Sequence, residues 1–260
     1  MALVNTDIGQ AAYGLPAAVS LGILQERPVQ GALDVLRCEA LSFVGSTSPM
    51  GHALPLVVSA ARLVRRARRS GAKIVLVDTS GLIAPGFGFQ LKLRKIELLE
   101  PHHIVALQHD MELEPLLSVL RSRDGLYLHR LRISPFARAR TRAQRAAYRI
   151  QRFTAYFTGS KLVALPTEGL LILAPPLRRS LFMEVFADIV DAGALRAPDL
   201  AGLLVGVNNG NDETLGLGLL EGVGDDGLIY LRTPVADVSH VQILQLGSMR
   251  LDQTVIAPHV

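Results

Sequence analysis

The spacing of apolar residues divides the chain into two patterns. In LPLVVSAARLVRRARR (54–69) apolar and arginine residues segregate at helical spacing, and KIVLVD (73–78) follows as a buried-strand run. The order then repeats: KLRKIELLEP (92–101) predicts a helix, IVALQ (104–108) a strand and MELEPLLSVLRSR (111–123) another helix. A short apolar strand also opens the chain, in MALVNTDIGQ, and ends at Asp7 before Gly9 and Gln10. Alternation of this kind predicts an α/β domain, a mostly parallel sheet flanked by helices, with functional loops at the carboxyl ends of the strands. Asp7, Asp78 and Gln108 all fall at such ends.

Beyond Ala187 the pattern changes. GLLVGV (202–207), TLGLGLL (214–220), LIYLR (228–232) and VQILQL (241–246) are short β runs separated by turns such as NNGND and GDDG. They predict a small, mainly antiparallel β domain. The polar segment Ala187–Ala201, with Pro198, marks the boundary, so the expected division is 1–190 and 191–260.

Composition supports a folded chain. Apolar residues make up 49% and charged residues 19% of 260, enough for a substantial core. No apolar run reaches the roughly 18 residues of a membrane span, and no basic-then-apolar start suggests secretion. The single cysteine, Cys38, excludes an internal disulfide and a cysteine-built metal site. A cytoplasmic protein without membrane contact is the expectation. The net charge of +4 conceals an asymmetry: residues 1–183 carry 24 Lys+Arg against 12 Asp+Glu, and residues 184–260 carry 3 against 11. A basic body joined to an acidic end suggests that the first part meets a polyanion. The plainer alternative is solvated faces of uneven sign.

The basic residues are concentrated. Ten arginines lie between Arg121 and Arg152 against one acid, Asp124. Within RTRAQRAAYRIQRFTAYF, Arg142, Arg145, Arg149 and Arg152 share one helical face, where like charges repel unless an anion neutralises them. Nucleic-acid phosphate or a nucleoside triphosphate would serve. In VDTSGLIAPGFG (77–88) a strand ends in Asp78 and runs into Thr79, Ser80 and Gly81, whose hydroxyls and free amides can hold phosphate oxygens or act simply as a turn. His102 and His103 have no carboxylate or further histidine at metal-ligand spacing. No G-x-x-x-x-G-K-[ST] loop, which holds nucleotide phosphates in P-loop enzymes, occurs in the sequence.

Taken in order, NTDIGQAAYGLPAAVSLG (5–22), FVGSTSPMGHALP (43–55), the stretch from Val77 to Leu117 and the arginine helix ending AYFTG (155–159) resemble the polynucleotide 5′-hydroxyl kinases of the P-loop superfamily. That group includes the RNA kinase subunit of messenger-RNA cleavage complexes, the nucleolar ribosomal-RNA-processing kinase and prokaryotic relatives. LAGLLVGV and LIYLRTPV to ILQLGSMRL resemble its carboxy-terminal domain. The resemblance implies ATP or GTP with Mg2+, transfer of a γ-phosphoryl group to the 5′-hydroxyl of RNA or single-stranded DNA, a role in RNA processing, and a protein partner for the C-terminal β domain. It implies that Asp7 organises magnesium and activates the hydroxyl, and that Gln10, Gly14 and Pro16 receive the terminal nucleotide. Thr79 and Gly81 match a T-x-G element whose next residue is often a base-clamping tryptophan and is here Leu82. Arg145 and Arg149 match an R-x-x-x-R lid, with Arg142 beside it on the substrate side, and Gln108 falls near the nucleotide base. The family's phosphate loop precedes the D-x-G-Q element, so the first βα unit is expected to be missing from this chain. A non-catalytic nucleic-acid-binding or scaffold protein is the chief rival reading. A small-molecule ligase of similar sheet order is another, although it would not need ten arginines before Arg152.

Overall fold

The computed structural model describes residues 1–24, 37–174, 200–224 and 226–252. Most of the expected domain boundary, 187–199, lies outside them. The first strand, β1 (Ala2–Asn5), is buried along its whole length. It pairs antiparallel with β2 (Ala18–Ile23), which pairs antiparallel with β3 (Arg37–Phe43). Helix α1 (Ala53–Arg69) returns the chain, so that β4 (Val75–Asp78) lies parallel to β1 on its other edge. Leu56, Ala60, Leu63, Val64 and Ala67 of α1 face the sheet at helical spacing, and Arg66, Arg68 and Arg69 lie in its last turn, where the helix end favours cations.

Helix α2 (Phe87–Leu99) begins before the expected Lys92, because Gly86 at φ 82° turns the loop into the helix. It stops before Glu100, at φ 46°, and Pro101. Next come β5 (His103–Gln108), α3 (Glu114–Leu120) and β6 (Tyr127–Arg132); β5 and β6 form a separate parallel pair. α3 is shorter than expected: Met111 is left-handed, and Glu112 accepts from the amides of His109 and Asp110 in a turn.

Helix α4 (Arg142–Phe157) has Thr141 as its N-cap, with a reciprocal capping box to Gln144. The chain continues through β7 (Lys161–Pro166), β8 (Leu171–Leu173), β9 (Leu203–Asn208), β10 (Thr214–Val223), β11 (Leu228–Thr233) and β12 (Ile243–Arg250). The main sheet runs β4-β1-β2-β3-β10-β9-β12-β8, with β11 on β10 and β7 on β11. The pairs β1–β4, β5–β6 and β8–β12 are parallel and the other pairings antiparallel, so the α/β architecture is built on a mixed sheet.

Alternation along β9 explains how both faces of the C-terminal strands are covered. Leu204 meets Phe153 and Phe157 of α4 together with Phe43, Leu217 and Leu219. Leu203, Val205 and Val207 point the other way, into a cluster with Leu231, Leu244 and Leu246. A third cluster lies under α1 and α2 and contains Val4, Ile8, Leu56, Leu63 and Leu91.

Candidate active site

The parallel register of β1 and β4 sets Asn5 beside Asp78 and carries both strands to one end of the sheet. There the side chain of Asn5 accepts the Asp7 amide at 2.9 Å, and Asp7 Oδ1 accepts the amides of Gly9 and Gln10, each at 3.0 Å. A Cβ on Gly9 would lie 2.8 Å from the Thr47 carbonyl oxygen, so the turn that holds the carboxylate admits no side chain there. Asp7 Oδ2 takes no hydrogen bond among the described residues.

Helix α2 presents two lysines to this strand end. Lys95 is only 3% exposed, and its ammonium donates to Thr6 Oγ1 at 3.1 Å. The Thr6 hydroxyl in turn donates to the Asp78 carbonyl at 2.7 Å, tying β1 to β4. Lys92 donates to the Ser80 carbonyl at 2.7 Å and to Thr79 Oγ1 at 3.3 Å, which orders the T-x-G loop. Although Asp78 keeps solvent access, the protein behind it and then the charge of Asp7 push its carboxyl above the usual range. Burial, reinforced by the Lys92 charge, lowers Lys95 to about 8, while Asp7 and Asp78 oppose the shift. Lys92 is lowered too, mainly by burial. Among the described residues no three His, Cys, Asp or Glu side chains are grouped to hold a metal. The open oxygen of Asp7 and the neighbouring Asp78 fit a hard cation that keeps waters and substrate oxygens as its other ligands.

Helix α4 crosses this end. Arg140 donates to Gln10 Oε1 at 3.3 Å and stacks over the Tyr148 ring at 4.9 Å. Gln10 Nε2 donates to the Arg145 carbonyl at 3.3 Å, Tyr148 donates to the Ala11 carbonyl at 2.7 Å, and Arg152 donates to the Gly14 carbonyl. Helix α4 and the D-x-G-Q loop are therefore stitched together. The side chains of Arg142 and Arg145 are exposed and that of Arg149 half-exposed, and none has a hydrogen-bond or acidic partner among the described residues. By contrast, Arg121 and Arg130 pair with Glu114, and Arg123 with Glu97. The dense arginine run thus separates into a part with acidic partners, ending at Arg130, and a part without them among the described residues, from Arg132 onward.

The remaining predicted residues are spread more widely. Gly14, at φ 75°, turns the loop through the buried Pro16 into β2, and Gly81 is open to solvent. Leu82 is half-buried against the α1–α2 cluster. Gln108, at the end of β5, is 8% exposed; its side chain donates to Glu114 and accepts from the Leu113 amide. It belongs to the β5–α3 corner, and no hydrogen bond links it to Asp7. Sequence reasoning missed Thr6, Lys92 and Lys95. The available signal was KLRK, two lysines one turn apart on a helix directly after the T-x-G loop.

Carboxylates at adjacent parallel strand ends beneath a basic helix form the arrangement of a phosphate-handling protein of the P-loop class. More specifically, residues 1–159 match the family model of the mRNA cleavage and polyadenylation factor CLP1 P-loop, and the chain belongs to that family. A polyribonucleotide 5′-hydroxyl-kinase of Pyrococcus furiosus is 28% identical to it over 96% of this chain and 79% of its own length. One from Thermococcus kodakarensis is 28% identical over 97% and 80%, and one from Methanocaldococcus jannaschii 30% identical over 62% and 43%. The fold is similar to that of a solved Clp1p–Pcf11p complex, with a TM-score of 0.66 at 12% identity, covering 96% of this chain and 67% of that one.

Proposed function

We propose that this chain is the catalytic body of a polynucleotide 5′-hydroxyl kinase that transfers the γ-phosphoryl group of ATP or GTP, with Mg2+, to the 5′-hydroxyl of RNA or single-stranded DNA. The observation that carries this is Asp7: two backbone amides fix one oxygen and the other takes no hydrogen bond among the described residues. In the reaction the 5′-oxygen attacks the γ-phosphorus, the bond to the leaving diphosphate breaks, and Asp7 Oδ2 accepts the hydroxyl proton. Magnesium, for which Asp78 and Asp7 together supply the local negative charge, would neutralise charge on the triphosphate. Arg145 and Arg149 meet the charge on the transferred group, since phosphoryl transfer depends on positioning and electrostatics. Thr79, Gly81 and Gln10 border the acceptor end.

The nucleotide also needs a cradle of amides and a lysine. Strand β4 is paired along one edge only among the described residues and carries exposed Leu76, with exposed Ile74 just before it. That edge suits a strand–loop–helix unit bearing G-x-x-x-x-G-K-[ST], which would complete a domain spanning 1–190, followed by a β domain over 191–260. Naming of the relatives as polyribonucleotide kinases supports RNA as acceptor. The capture of Clp1p with Pcf11p supports a protein partner for this chain, here assigned to the β domain. No helix among the described residues is long and apolar enough to cross a membrane.

The test is transfer of labelled γ-phosphate to a 5′-hydroxyl oligoribonucleotide by the chain carrying such a unit, beside a 5′-phosphorylated control. Labelling of the first alone, lost in Asp7→Asn, is the expected result. Asparagine keeps the oxygen that caps the turn, so the fold should survive. A folded, nucleotide-binding protein that labels nothing would leave RNA binding without catalysis as the function.

A further inference from the structure

Between β6 and α4 the chain makes a tight turn at Ser134–Ala137. The Ala137 amide donates to the Ser134 carbonyl at 2.9 Å and the Phe136 amide to Ser134 Oγ at 3.3 Å. Pro135 sits at the second position of the turn, where its fixed φ is favoured. The backbone of Phe136 is therefore held, yet its ring is 89% exposed, more than any other large apolar side chain among the described residues. Around it in sequence are Arg132, Arg138, Arg140 and Arg142, none with an acidic partner among the described residues. Arg140 is anchored to Gln10, so the loop ends at the candidate active site. A lone aromatic ring held out by a fixed turn among guanidinium groups without acidic partners has the composition of a single-strand binding element: cations for the backbone and a flat apolar face for a base. Leu82, half-buried at the T-x-G loop, offers no such ring.

We infer that Phe136 is a stacking platform for a base of the single-stranded RNA acceptor, with Arg138 and Arg142 holding the neighbouring phosphates. This rests on the reading of RNA as acceptor and adds a contact outside the reacting atoms. The charge of the loop favours RNA over an apolar protein surface as the occupant.

The chain contains no tryptophan, so Phe136→Trp creates a single tryptophan at the proposed contact, which can be excited apart from the five tyrosines. Titration with a single-stranded oligoribonucleotide of about ten nucleotides, within the usual range of such sites, should quench that fluorescence. Inorganic polyphosphate, which offers charge without bases, should bind and not quench. In the otherwise native chain, Phe136→Ala should weaken oligoribonucleotide binding about tenfold, the lower part of the range for one stacked base, and leave polyphosphate binding and thermal stability unchanged. Oligoribonucleotide affinity of Phe136→Ala within about twofold of the native chain would overturn the inference, being below the effect of a stacked base. Absence of quenching at saturating RNA, or equal quenching by polyphosphate, would do the same. Unchanged RNA binding together with loss of a protein contact would make the ring a protein-docking residue instead. Quenching requires no phosphoryl transfer. A chain that quenches and labels no RNA therefore overturns the kinase reading alone, and one that labels RNA without quenching overturns the stacking role alone.

Discussion

Strands β4 and β9 belong to one sheet and differ in nearly everything that holds a strand in place. Every residue of β9 is buried, between β10 and β12 along its edges and two apolar clusters on its faces. β4 alternates half-buried and exposed residues and is paired, among the described residues, with β1 alone. The parallel pair β5–β6 is more open again, with Val105, Leu107, Tyr127 and Leu131 exposed. Opening free energies fall where buried contacts are few, and sites that must admit ligands are drawn from that end of the range. In this molecule the C-terminal strands form the anchored body, and the strand ends near Asp7 and the arginine helix form the part left open for other molecules.

The largest test of that contrast lies on the open side. Arg145 is exposed and its guanidinium is unpaired among the described residues, so Arg145→Ala should leave the melting temperature unchanged. Turnover of the proposed kinase should nonetheless fall about a thousandfold, the lower part of the range for arginines that meet transferred phosphoryl charge. The measurement is kcat and KM for 5′-hydroxyl RNA. A loss confined to KM would move Arg145 from the transition state to ground-state binding.

On the anchored side the effect should be on stability. Leu204 is fully buried where α4 meets β9, and Leu204→Ala should cost about 3 kcal/mol in urea unfolding through lost burial and the cavity left behind. Leu76, 53% exposed on β4, should lose less than about 0.5 kcal/mol on the same change, as surface substitutions generally do. Equal costs at the two sites would erase the distinction.

The same contrast decides what could be read from the sequence. Unbroken apolar runs bounded by turn residues, such as LLVGV, and the arginine-and-apolar spacing of α1 reflect burial against protein, so those elements were legible almost to their ends. β2 and β3 were missed as strands because GLP and the short runs AVSLGI and RCEALSF carry no clean alternation, and their pairing with β1 depends on tertiary neighbours. That omission hid the antiparallel half of the sheet around β1. In the candidate site, Asp7 and the arginine face were visible because strand ends and helical spacing are local features. Lys95 was not, since a lysine in an apolar helix reads as solvent-facing until the fold turns it inward. Gln108 was legible as a strand end, but only the structure puts its amide in the β5–α3 corner.

Lys95 also yields an effect expected to be smaller than that at Leu204, one that joins the two regions because it is a core position serving the open site. Burial holds its folded-state pKa near 8, below the value of roughly 10.4 expected in the unfolded chain. Below pH 8 both states are protonated, and the fold bears the full cost of the buried ammonium. Between about pH 8 and 10.4 the folded protein has released that proton while the unfolded chain keeps it, so the unfolded state binds more protons and stability rises with pH. Above that window both forms are neutral and the contribution has gone. Lys95→Met keeps the length of the side chain without the charge and should remove this rise. The stability of the variant relative to the native chain should therefore be greatest near pH 7, by order of 2 kcal/mol, and should shrink toward pH 10. Urea unfolding of both proteins at pH 7 and pH 9.5 reads the difference directly, and contributions from other titrating groups cancel in it. A difference that does not change with pH would mean that Asp7 and Asp78 fully offset the burial of the ammonium. The lysine would then be as settled a part of the fold as Leu204, and the boundary between the anchored and open regions would have to be drawn nearer the surface.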